Sequence, residues 1–240
     1  MMKNEAQPRI GFDRYIQLAW ARAALRVRAG LAESEELTQL IDSTHSGAAA
    51  KKKTRTVLNR LWLEPRTELE PLCNRAVAIY VADPSASVAA LTWGMSIATY
   101  PFFGSVAQIV GRLIRLQGEC TSAEVHRRMA EIYGEREGTR RMTNMVLQSQ
   151  ADWGAVDRLN KGKNIKGMRE PMDLTSDLET WLVEAALRNA GRAMPIGSIA
   201  TAPVLYPFSF SERLTYNLSQ DFRFNVRVDS GSNRVVDLAL

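Results

Sequence analysis

Cysteine and histidine are scarce in this chain of 240 residues, which has two of each. Cys73 and Cys120 lie far apart and form no C-x-x-C pair. That argues against a disulfide framework and fits a reducing cytoplasm. His45 and His126 stand in unrelated contexts, so no spacing offers the three or four ligands a bound metal ion needs, and no metal or other cofactor is expected. Neither a G-x-x-x-x-G-K-[ST] loop nor a G-x-G-x-x-G turn is present to cradle a nucleotide phosphate. Gly94-Met95-Ser96-Ile97-Ala98 has glycine and serine near each other, but no strand precedes it as a nucleophile elbow requires. No catalytic residue is assigned on these grounds, and an enzyme is not expected.

Charge is missing from one long stretch, the 28 positions between Asp83 and Arg112. Its length alone would admit a membrane span. Thr92, Ser96, Thr99, Ser105 and Gln108 interrupt it, however, and Pro101 removes a backbone donor and pushes Tyr100 out of the helical region. The expectation is two buried helices, about 85–99 and 102–117, and no membrane. The first apolar stretch of the chain is broken by Arg14, Arg22, Arg26 and Arg28, unlike a secretory signal.

Hydrophobic residues make up 45% of the chain and charged residues 24%, so a packed core is affordable and wholesale disorder is not expected. After nine residues that read as a frayed terminus, helical periodicity marks segments near 13–29, 34–42, 49–62 and 66–82. With 85–99 they suggest an all-helical bundle over 1–100. A second region, 101–191, has a different order of parts. A long apolar helix is followed by Thr121-Ser122-Ala123-Glu124, a capping-box pattern that opens a helix near 122–133, closed by Gly134. Another helix follows Gly138-Thr139. Then come a short apolar segment at Ala155, Val156 and Leu159, a turn from Lys161 to Gly167, and a return through Met168, Met172 and Leu174. That is the order of a winged helix-turn-helix. A helix near 177–190 leads into 192–240, where prolines give way to alternating Phe222–Val228, a turn at 229–233, and a partner strand at 235–238. The fold class expected is mainly α: a helical bundle, a winged helix-turn-helix-like region and a small C-terminal β element.

The formal net charge is only +5, and its distribution says more than its size. Residues 112–169 hold twelve Lys or Arg against seven Asp or Glu. On the second helix of the motif, Met142, Met145, Val146 and Ser149 are placed toward the core, leaving Arg140, Arg141, Thr143, Asn144 and Gln148 outside. From Thr139 to Ala151 there is no acid at all, which distinguishes this face from an ordinary solvated one. Arginine, asparagine, glutamine and threonine are the side chains that read base edges or grip phosphates. Lys161, Lys163 and Lys166 on the glycine-bearing turn suit a wing tip that neutralises phosphates without selecting a sequence. Arg127 and Arg128, on the first helix of the motif, are weaker phosphate candidates. A separate group, Lys51, Lys52, Lys53, Arg55 and Arg60, extends a nucleic-acid track or simply keeps an alanine-rich helix solvated.

Three places also resemble one family, the small BrxA-type proteins of BREX phage-defence systems. They are the basic helix Lys52-Lys53-Thr54-Arg55 with Leu58-Asn59-Arg60-Leu61, the apolar helix pair around Ala98-Thr99-Tyr100-Pro101-Phe102-Phe103, and Thr139-Arg140-Arg141 with Val146-Leu147 ahead of Val156. The resemblance spans roughly 10–190 and does not extend to the β tail. It implies a non-enzymatic, double-stranded-DNA-binding accessory protein that works with the other subunits of a bacterial defence or modification complex. Two other readings stay open. One is a protein adaptor that uses the winged helix as an interaction module, because fold does not dictate function. The other is an RNA binder similar to NusB-like antitermination factors, acting through residues 51–60.

Overall fold

The computed structural model describes residues 10–168, 170–228 and 234–239. The expected frayed terminus at 1–9 and the turn at 229–233 lie outside these residues. The protein is mainly helical, with two small antiparallel sheets.

Six helices build the first part: α1 (Leu18–Arg28), α2 (Ser34–Thr44), α3 (Ala48–Leu58), α4 (Glu70–Ala82), α5 (Val88–Thr99) and α6 (Pro101–Gln117). A π turn, Asn59–Leu63, continues α3 and carries Leu61 and Trp62 into the core. Helix α2 starts at the expected place, with Glu33 as N-cap in a capping box with Glu36.

The uncharged stretch is the centre of the molecule. Every residue of α5 except Ala98 is buried. Pro101 begins α6 at a bend of 119° from α5, and among the described residues no single helix is long and apolar enough to cross a membrane. Helix α9 (Ser176–Ala190) packs along α5. Their closeness depends on Gly94, where a β-carbon would overlap the Trp181 indole. Three buried indoles donate to carbonyls, Trp181 to Leu72, Trp93 to Val204 and Trp153 to Ile16, each at 2.8–2.9 Å, whereas those of Trp20 and Trp62 have no partner among the described residues.

Downstream of α6 come β1 (Glu119–Thr121), α7 (Ser122–Tyr133), α8 (Glu137–Asp152), β2 (Val156–Leu159) and β3 (Asn164–Gly167). The sheet runs in the order β1-β3-β2, with Ile165 opposite both Cys120 and Arg158. Strand β1 was not expected. Three residues with one buried side chain show no periodicity, and their partner lies more than forty positions away.

One core joins all these parts. The N-terminal strap meets the far end of α8, where Tyr15 donates to Asp152 at 2.7 Å and the Ile16 amide to Ser149 Oγ at 2.9 Å. Trp153 stacks on Phe103 with centroids 5.4 Å apart.

The C-terminal part is richer than its sequence suggests. It contains a two-residue strand, β4 (Met194–Pro195), and two short helices, α10 (Ile196–Ile199) and α11 (Leu214–Gln220). Strands β5 (Phe224–Val228) and β6 (Arg234–Leu238) pair as the alternation predicts, and β4 covers the other edge of β6. The Glu184 carboxylate, 1% exposed, ties this part down. It accepts from Arg75 of α4, from Arg188 one turn along α9, and from Arg223 just before β5.

Candidate nucleic-acid interface

Helix α7 begins as its cap predicts, with the Glu124 amide donating to Thr121 Oγ1 at 3.1 Å. The reciprocal half of the box is not made. The Glu124 carboxylate turns instead toward Gln117, at 3.5 Å, and Arg128, at 3.4 Å. Arg127 is likewise engaged by Glu131 at 2.8 Å. Both arginines are thus paired within α7 and are not free phosphate contacts.

Helix α8 buries Thr139, Thr143, Val146, Leu147, Ser149 and Gln150. The phase therefore differs from the expected one, and Thr143 is not an outward side chain. It is fully buried, and its hydroxyl donates to the Thr139 carbonyl at 2.8 Å, which satisfies its one polar group inside the core. Met142 and Met145, placed inward by the sequence reading, are only half-buried. Arg140, Arg141, Asn144 and Gln148 remain on one outer stripe, at i, i+1, i+4 and i+8. The two arginines are exposed in the first full turn, and Asn144 and Gln148 are half-buried.

Strands β2 and β3 meet in a tip formed by Asn160, Lys161 and Gly162, all with positive φ (51°, 56° and 82°). The positive φ favours glycine at 162, and the Arg158 guanidinium lies directly beneath the turn, where a β-carbon would displace it. Arg158 Nη2 donates to the Gly162 carbonyl at 3.3 Å and to Asn144 Oδ1 at 3.0 Å. Ser122, the first residue of α7, also donates to Gly162 O. The hairpin tip is thus tied to the first turn of α7 and, through Asn144, to the outer stripe of α8.

Lys161 and Lys163 are exposed and make no ion pair among the described residues. Lys166 is a different case. Its cross-strand neighbours are Glu119 on β1 and Asp157 on β2, so the outer face of the sheet alternates in sign around it. Lys166 is exposed and makes no ion pair with either acid among the described residues, so its charge is flanked but not cancelled. Asn144, by contrast, is held within the chain by Arg158.

The α3 group is mostly occupied too. Lys51 and Arg55 both reach Asp42, at 3.3 and 3.0 Å, and Lys53 reaches Asp13 at 3.1 Å. Lys52 and Arg60 stay exposed. This group does not merge with the α8 cations. Asp13 adjoins the strap held by Asp152 at the end of α8, and Arg140 lies twelve residues before Asp152, about 18 Å of helix.

Two relevant residues escaped the sequence reading, Arg158 and His126. Arg158 was findable, because it shares the inward phase of Val156 on β2, and a charge at an inward position calls for a partner. His126 lies on α7. Burial first, and then the Arg140 and Arg158 charges, hold its imidazolium pKa below the usual value. Burial likewise pushes the Arg158 pKa down and the Cys120 thiol up to about 11. No known protein family, curated protein or solved structure matches the chain. Among the described residues no three His, Cys, Asp or Glu side chains converge as metal ligands.

Proposed function

We propose that the chain binds double-stranded DNA through a winged helix-turn-helix formed by α6, β1, α7, α8, β2 and β3, with α8 as the recognition helix. One observation carries this reading. Arg140 and Arg141 are exposed on α8, Lys161 and Lys163 are exposed at the hairpin tip, and Arg158 ties that tip to Asn144, one turn along α8 from Arg140. The first turn of such a helix enters the major groove while a wing grips the flanking backbone. Gln148 lies further along the same stripe and is free to meet a base edge. The resemblance to BrxA-type proteins supplies the setting: a cytoplasmic, non-enzymatic accessory subunit of a bacterial defence or modification complex.

The test is fluorescence anisotropy of the full chain with a 30-base-pair duplex, single-stranded DNA and an RNA hairpin over a salt series. With four free cations engaged, log K should fall against log salt with a slope of about −3.5 for the duplex. Preference for the RNA hairpin would favour the NusB-like reading. No binding of any of the three at low salt would favour the adaptor reading, for which the exposed Leu116 on α6 and Ile132 on α7 supply an apolar contact surface.

A further inference from the structure

Between α7 and α8 runs an open groove of about 800 Å³. Ala123 and Ala130 keep it wide, and His126 and Arg140 face it from its two sides. His126 Nδ1 is buried with no hydrogen-bond partner among the described residues, and so is Nε of Arg158, on the neighbouring strand β2. Arg158 stands close enough to the ring to act on its charge, as does Arg140. The acids of the groove are placed otherwise. Glu131 is engaged by Arg127, while Glu135 and Glu137 are exposed around the α7–α8 turn, alongside exposed Arg136. Positive charge therefore converges on the imidazole itself, and the negative charge is held apart from it.

We infer that this groove takes a backbone phosphate of the bound duplex against Arg140 and His126, and that the imidazole takes up a proton from solvent as the phosphate enters. The inference rests on the DNA reading for its ligand and adds a regulation of that same site. In the free protein, burial and two guanidinium charges disfavour the imidazolium. A phosphate anion beside the ring reverses the sign of the local field and gives the protonated ring a charge-assisted hydrogen bond. Because the histidine pKa then differs between free and bound protein, linkage makes affinity depend on pH. Binding tightens as pH falls through the bound-state pKa and stops changing below the free-state pKa.

The chain has only two histidines, so the experiment has an internal control. His45 lies between α2 and α3, its ring 5.0 Å from that of Trp20 and its Nε2 3.2 Å from Thr54 Oγ1. In the full chain, with the ring carbons labelled, NMR follows both histidines from pH 5 to 8, with and without inorganic pyrophosphate at fixed ionic strength, and H45Q assigns the signals. The expected result is a His126 midpoint below about 6.5 that rises by about 1 with pyrophosphate, while that of His45 stays put. Duplex anisotropy over the same range should show the dissociation constant tightening about fivefold from pH 7.5 to 5.5. H126Q should lose that dependence and H45Q should keep it. A His126 midpoint unmoved by pyrophosphate, or a pH dependence that survives in H126Q, overturns the inference. Failure of the duplex to bind at any pH, with a His126 midpoint that still moves, overturns the DNA reading and upholds the phosphate groove.

Discussion

Arg158 Nη2 lies 3.0 Å from Asn144 Oδ1, and this one hydrogen bond joins the β2–β3 hairpin to the outer stripe of α8. The same nitrogen reaches the Gly162 carbonyl at the tip. The hairpin's pose against the helix is therefore set by a half-buried guanidinium. Replacing Arg158 with Met keeps the apolar stem and removes the guanidinium donors. Hydrogen exchange at residues 160–163 should accelerate at least severalfold, and stability should fall by about 1–2 kcal/mol, as for a hydrogen bond to a charged group. Unchanged exchange in R158M would show that Ser122 alone holds the tip.

Arg140 and Arg141 are the exposed cations of α8, whereas Lys51 and Lys53 already face Asp42 and Asp13. The double variant R140A/R141A should weaken duplex binding at least about tenfold and shrink the salt slope by about 2. Its circular dichroism should be unchanged. K51A/K53A should leave affinity alone and cost no more than about 1 kcal/mol in chemical denaturation, because its ion pairs are partly exposed.

Lys161 adopts a left-handed conformation, φ 56° and ψ 34°, in which a side chain is disfavoured. K161G relieves that strain at the cost of a more flexible unfolded chain, for a net gain of about 0.5–1 kcal/mol. The same variant should bind the duplex severalfold more weakly. Stability and affinity moving in opposite directions would mark Lys161 as kept for contact rather than for folding.

Glu184 is buried while Arg75, Arg188 and Arg223 are each 20–32% exposed. E184Q would leave three guanidinium groups crowded without their anion. A loss of about 3 kcal/mol is expected, the low end for breaking a buried pair because water still reaches the arginines. Urea denaturation followed by tryptophan fluorescence measures it.

Asp221 has its carboxyl pKa held below the ordinary value, mainly by hydrogen bonds from Arg223 and against the effect of burial. A depressed folded-state pKa contributes stability that is present above the unfolded pKa, near 4, and is lost as pH falls through the folded one. Stability should therefore decline between about pH 5 and pH 3, and D221N should decline less steeply over that window. Equal slopes would assign the acid sensitivity to other carboxylates.

The run of helices could be read from the chain because helices are local. The apolar period of α6, the Thr121 cap and Gly134 each act within a few residues, and each is found where expected. The arginine stripe of α8 was legible for the same reason. Thr143 was misplaced because its methyl fits a core and its hydroxyl is satisfied by the carbonyl four residues back, so hydropathy alone marks the wrong face. Short β1, the acids flanking Lys166, the partners of Lys51, Lys53 and Arg55, and the Arg158 bond to Asn144 all come from outside the helix or strand that carries each residue. By itself the sequence determined where the longer helices, α1 to α9, form and which side of α8 carries its exposed arginines, since both follow from spacing along a few turns. Only the tertiary structure decided which cations remain free, because a charge is spent or spared by the neighbour that packing brings within about 4 Å of it.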